Sequence, residues 1–433
     1  MRRRVLFVSL TVAVLSGALA IGVTLYRDLS ADSLCVDAQA RLHAPLSEAP
    51  SLDRIQASTA VSRFERAIEL GRSDAPTVGW LAYARGLEDY QRGDLLLAEG
   101  EITSARHRLG DLPELLVLGA AVARGRSQDA EARRMLAEAL VLDPDSTHGN
   151  LLAADVALDD SDGGTALAHL DALGEEGDRV APVHNRRGLA HELAGRARAA
   201  ETEYRRAVEL DERSQEAWIN LGRLRRAAGD HEDALACFDR AVRAAESDSA
   251  AHLGRGLARA ATADVDGARA DFERAAELAP NDAEPLLALG DLLRDLGRYD
   301  DAVAVYRRAI EREDADAASW LKLGNALVLL EDYEAAAPAF RAALTRTPDL
   351  APALNGLGAA LMHQGELEDA ATALSRAAEI DMSDPNPLMN LALLHERAGD
   401  VDAARRAWGM ALERDPGSAI ARRRLDRLPS PRG

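Results

Sequence analysis

The side chains able to carry chemistry are few in this sequence, and none sits at the spacing that chemistry needs. Of the ten histidines, His184, His191, His252 and His395 lack a second ligand one helical turn away, so a helical zinc site has no basis. Cys35 and Cys237 are the two cysteines; they make no C-x-x-C pair and no disulfide framework. No glycine-rich phosphate loop and no G-x-S-x-G nucleophile turn occurs. The sequence thus predicts no enzyme, no cofactor and no metal.

What does recur at fixed spacing is a set of packing residues. Ten alanines stand 34 residues apart: Ala98, Ala132, Ala166, Ala200, Ala234, Ala268, Ala302, Ala336, Ala370 and Ala404. Twelve residues before each stands another small residue, among them Gly188, Gly256, Gly290, Gly324 and Gly358. Four residues after each stands a bulky one, such as Tyr204, Phe238, Phe272, Tyr306, Phe340 or Trp408. A glycine inside a helix costs roughly 1 kcal/mol relative to alanine, so its recurrence implies close helix contact. Gly93, Gly195, Gly229, Gly297, Gly365 and Gly399 suit left-handed ends of a first helix. Asp94, Asp230 and Asp400 follow as candidate N-caps of a second. Pro144, Pro280, Pro348 and Pro416 mark where the second helix stops. A period of this size means one two-helix unit stacked many times, which presents a binding surface rather than a catalytic pocket.

The columns resemble the tetratricopeptide repeat signature, W-x2-L-G, then A-x3-F-x2-A, then a closing Pro. It reads here as Trp218, Leu221, Gly222, Ala234, Phe238 and Ala241, and again as Trp320, Leu323, Gly324, Ala336, Phe340, Ala343 and Pro348. The resemblance implies an all-α, right-handed α-solenoid of about ten helix-turn-helix units over residues 79–418. The weakest unit, 147–180, keeps Ala154, Ala166 and Leu170 in phase but has an aspartate- and glycine-rich turn, which suggests a looser joint.

Outside the array the chain is short. Arg2-Arg3-Arg4 precedes an uncharged apolar stretch from Val5 to Tyr26, long enough at about 33 Å to span a bilayer as one transmembrane helix. We assign 1–26 to a signal-anchor; Ala18-Leu19-Ala20 also fits a cleavable signal peptide. Residues 27–57 read as a stalk, 58–78 as an N-terminal capping helix, and 419–433 as a C-terminal capping helix and tail. Residues 58–78 carry Ala60, Phe64 and Ala67 at second-helix spacing, while Ile420, Leu425 and Leu428 should cover the last open face. The charge order predicts a single-pass protein of the inner membrane, N-terminus cytoplasmic and repeats periplasmic. Its 51 arginines against one lysine, Lys322, fit a GC-rich bacterial genome. A net charge of −20 argues against a nucleic-acid partner.

In this family the first helix of each unit lines the ligand face. Carried onto this chain, the resemblance implies a groove including Asn220, Arg223, Arg226, Leu253, Leu257, Asp291, Arg294, Leu321, Lys322, Asn325, Asn355 and Met362. Its mixture of apolar and polar residues suits a protein partner offering an extended peptide or an amphipathic helix. At helical spacing the leucines also fit packing between units. The function expected is a tethered, non-catalytic scaffold for an envelope assembly or biogenesis complex. The alternative is an accessory subunit of a polysaccharide or cytochrome-maturation system that binds the substrate or polymer.

Overall fold

The computed structural model describes residues 30–43, 56–312 and 316–429, and all regular structure among them is helical. From Ala75 the helices run in pairs, beginning with Ala75–Arg92 and Leu95–Leu109 and ending with Asn386–Ala398 and Val401–Arg414. The chain forms two compact units, one up to Leu224 and one from Arg225. Each is an all-α stack in which a first helix packs on its own second helix and on the next pair. The alanine column is the buried seam: Ala98, Ala200, Ala268, Ala302, Ala336 and Ala370 have no solvent-accessible surface.

The glycines and the bulky residues are two halves of one contact. A Cβ on Gly324 would stand 2.6 Å from Cε1 of Phe340, and one on Gly290 would stand 2.4 Å from Cε1 of Tyr306. Neither ring has room to retreat, because both are fully buried. Phe340 reaches further, since a Cβ on Gly356 of the next pair would stand 2.4 Å from its Cζ. One ring therefore fills the space under two first helices.

The turn column also has its backbone reason. Gly93, Gly195, Gly229, Gly297, Gly365 and Gly399 all have φ between 70° and 86°. In the pairs without glycine there, Ser127, Ser161, Ala263 and Glu331 take φ of 58° to 63° instead. A side chain in this region is strained by roughly 1–2 kcal/mol. Replacing Glu331 by glycine should therefore raise stability by about 0.5–1 kcal/mol, the gain being reduced by the greater freedom of glycine in the unfolded chain. Urea unfolding of the single variant measures it, and a lower midpoint would contradict this reading of the turn.

Four details differ from the sequence reading. Asp400 caps its helix by accepting from the Ala403 N–H at 2.9 Å, whereas Asp94 and Asp230 make no side-chain cap. Asp230 instead holds Arg225 at 3.0 Å. Part of the supposed stalk, residues 30–42, is helical, with Ala38 and Leu42 in one core with Phe64 and Leu87. At the C-terminus Ala421 is the buried residue of Ala419–Arg427, while Ile420 is 57% exposed; Leu425 and Leu428 pack against the core. The weak unit has the short second helix Gly163–Asp171, followed by the single turn Gly174–Gly177. Arg187 donates to the Leu170 carbonyl at 3.1 Å and to Asp178 at 2.6 Å, which holds that truncated end.

The stretch Val5–Tyr26, read above as a transmembrane helix, lies outside the described residues. Among the described residues no helix is long and apolar enough to cross a membrane.

Candidate functional site

In the first unit the expected groove residues are occupied with their neighbours. Asn220 is buried and donates to the Asn185 side-chain oxygen at 2.9 Å, and Asn185 is within 3.5 Å of Glu216. Arg223 is half-exposed and donates to Glu192 at 3.2 Å. Glu192 also accepts the Tyr204 hydroxyl, so a first-helix arginine and a packing tyrosine share one carboxylate.

The second unit contains an open cleft. It has a volume of about 690 Å³, and its walls come from the helices Ser249–Ala261, Val265–Leu278 and Glu284–Asp295, with Lys322 at its edge. Leu253, Leu257, Leu287, Ala288 and Leu292 supply most of the apolar lining. Volume and lining are those of a site for a ligand of several apolar groups.

Asp291 organises the polar edge. It accepts Lys322 at 2.5 Å, Arg294 at 3.0 Å and the Tyr306 hydroxyl at 2.6 Å. Burial, reinforced by this bond to a carboxylate, pushes the Tyr306 phenol well above its usual range, so the hydroxyl stays a donor. Lys322 reaches back 31 residues to Asp291, and Arg186 reaches back 31 residues to Asp155 in the first unit. The same clasp thus couples successive pairs in both units.

Of the twelve expected groove residues, the structure places Leu253, Leu257, Asp291 and Lys322 in the cleft lining. Arg294 stands behind Asp291 and also bonds Asp295. Leu321 packs partly buried against the unit's main core, and Met362 is buried in it. Asn355 accepts from Asn390 at 2.9 Å, repeating the Asn185–Asn220 contact at the same 35-residue separation. Asn325 is exposed, and Arg226 is half-buried. Five of the polar anchors, Asn220, Arg223, Asp291, Lys322 and Asn355, therefore already bond the adjacent pair.

The sequence reading missed two things. The cleft also uses Glu284, Leu287, Ala288 and Asp295, which occupy the family's ligand columns but were not singled out. Val265 and Phe272 enter it from a second helix, which those columns do not include. It also missed polar contacts across three of the helix pairs, 19 residues apart: His169 with Asn150, His184 with Glu203, and His252 with Asp271. A search for ligands one turn apart on one helix cannot find them. The His184 bond holds the Glu203 carboxyl below its usual range. Asp271 is the densest of these points, accepting His252 at 3.2 Å, Arg255 at 2.6 Å and Arg259 at 2.8 Å. All of its partners are internal, so it is a structural hub. Among the described residues no cluster suits a metal ion.

A family model for the tetratricopeptide repeat matches residues 185–249, 219–283, 287–351, 330–385 and 389–425, together more than half of the chain. The chain belongs to the tetratricopeptide repeat family. Among similar solved structures, PilF of Pseudomonas aeruginosa is 19% identical over 50% of this chain and 98% of its own, with a TM-score of 0.42. The Cut9–Hcn1 hetero-tetramer of the APC/C gives 16% identity over 94% of this chain and 98% of that one, with a TM-score of 0.45. YrrB, a TPR protein with an unusual peptide-binding site, gives 18% identity over 44% and 97%, with a TM-score of 0.39. No curated protein matches the chain. TPR proteins are typically non-catalytic scaffolds for other proteins.

Proposed function

We propose that this TPR protein is a non-catalytic scaffold that receives a peptide or helix of an envelope assembly complex in the cleft beside Asp291. The cleft is the observation that carries this reading: leucine and alanine dominate a volume of about 690 Å³ on first helices, beside fixed polar groups. Apolar walls of this kind favour side chains of a peptide over a polymer of sugars. The three arginines before the apolar stretch Val5–Tyr26 support tethering to a bacterial inner membrane with the repeats in the periplasm.

Two measurements test the reading. A tagged chain and its Leu257→Gln, Leu287→Gln variant are each retrieved from membranes, with circular dichroism recorded on both. A protein should be retained by the parent and lost from the variant at unchanged helicity. Equal retention would move the site off this cleft. A reporter fused after Gly433 should be active only in the periplasm; activity of a cytoplasm-only reporter would overturn the compartment.

A further inference from the structure

The cleft has a chemical grain that narrows the class of partner, on the reading that it binds a peptide. One wall, from Ser249–Ala261, contributes Leu253, Leu257, Ala260 and Ala261 and nothing ionisable. The opposite wall places Glu284 at one end of its helix and Asp295 at the other, about 16 Å apart along the axis, with Leu287 and Leu292 between. Asp291 is already answered by Lys322, Arg294 and Tyr306, and Asp295 by Arg294. Three carboxylates thus stand against two cations, and Glu284 is exposed at the rim. The cleft is several times the size of one leucine side chain, so it suits a segment rather than a single anchor.

We propose that the cleft takes a cationic amphipathic helix. Its bulky apolar side chains enter between Leu257 and Leu287, and arginines or lysines on its flank meet Glu284 and Asp295. The sign of the rim makes the choice: an acidic segment would meet like charge there, and in a chain of net charge −20 that repulsion is long-ranged at low salt.

The test uses the full chain and three fluorescein-labelled, 18-residue helical peptides, of leucine with arginine, leucine with glutamate, and serine with arginine. Anisotropy at low salt should show the leucine–arginine peptide binding at least tenfold more tightly than either other. The serine–arginine peptide controls for unspecific attraction to the acidic chain. Leu257→Gln with Leu287→Gln should weaken the leucine–arginine peptide at least tenfold. Glu284→Gln with Asp295→Asn should reduce its advantage over the leucine–glutamate peptide at least threefold. Equal binding of the leucine–arginine and leucine–glutamate peptides, or no effect of the carboxylate pair, overturns the cationic assignment; if the leucine pair still matters, the peptide cleft itself stands. If the leucine pair has no effect, both fall. If a pyrene-labelled fatty acid binds in a leucine-dependent way and the leucine–arginine peptide does not, the cleft is a lipid site and the proposal is wrong.

Discussion

Truncating Phe340 to alanine should cost about 3–5 kcal/mol, among the largest effects of any single core change in the second unit. The ring is fully buried and lies against Gly324 of its own pair and Gly356 of the next. Glycines have no side chain to swing into the space left behind, and helix backbones shift little. The cavity should therefore persist, and a cavity that cannot collapse is the costly kind. Because the same ring touches two pairs, the loss should also weaken their coupling, so the unfolding transition should broaden as well as shift. Denaturant unfolding followed by circular dichroism measures both. A loss below about 1 kcal/mol would mean that the ring is not the shared wedge described here.

Removing the Asp271 carboxylate should be comparably severe, at about 3–5 kcal/mol for Asp271→Ala. The cause is different. The carboxylate is 3% exposed and faces Arg255, Arg259 and His252. Without it, guanidinium groups that are mostly withdrawn from water keep their charge and lose their nearest acceptor, Arg255 retaining only Asp239 at 3.3 Å and Arg259 only the Gly267 carbonyl at 3.4 Å and Asp264 at 3.5 Å. Glu273→Ala, an exposed acid two residues along the same helix, is the control and should change stability by no more than about 0.5 kcal/mol. If both variants unfold at the parent's midpoint, the buried charge is solvated in a way the packing does not show.

The pairing of Gly290 with Tyr306, and of Gly324 with Phe340, was legible because both partners recur with the period, and a repeated small residue opposite a repeated large one has one packing solution. The left-handed turns were legible wherever glycine marks them, and illegible at Ser127, Ser161, Ala263 and Glu331, where register alone imposes the conformation. The helix at 30–42 carries no signature alanine column, so its burial of Ala38 and Leu42 could not be told from a stalk. The site was half legible. Family columns found Leu253, Leu257, Asp291 and Lys322, but they do not say which polar residues are already committed. That Lys322 belongs to Asp291, and Asn220 to Asn185, depends on the offset between successive first helices, a quantity of three dimensions.

The most direct test of the scaffold reading places a photo-crosslinking amino acid, in cells, at Leu257 and Leu287 in the cleft and at Arg341, exposed on the second helix Tyr333–Arg346. The account predicts that one and the same polypeptide is captured from Leu257 and Leu287, and that it is not captured from Arg341. Capture from Arg341 alone, or different polypeptides at the two cleft positions, would contradict it.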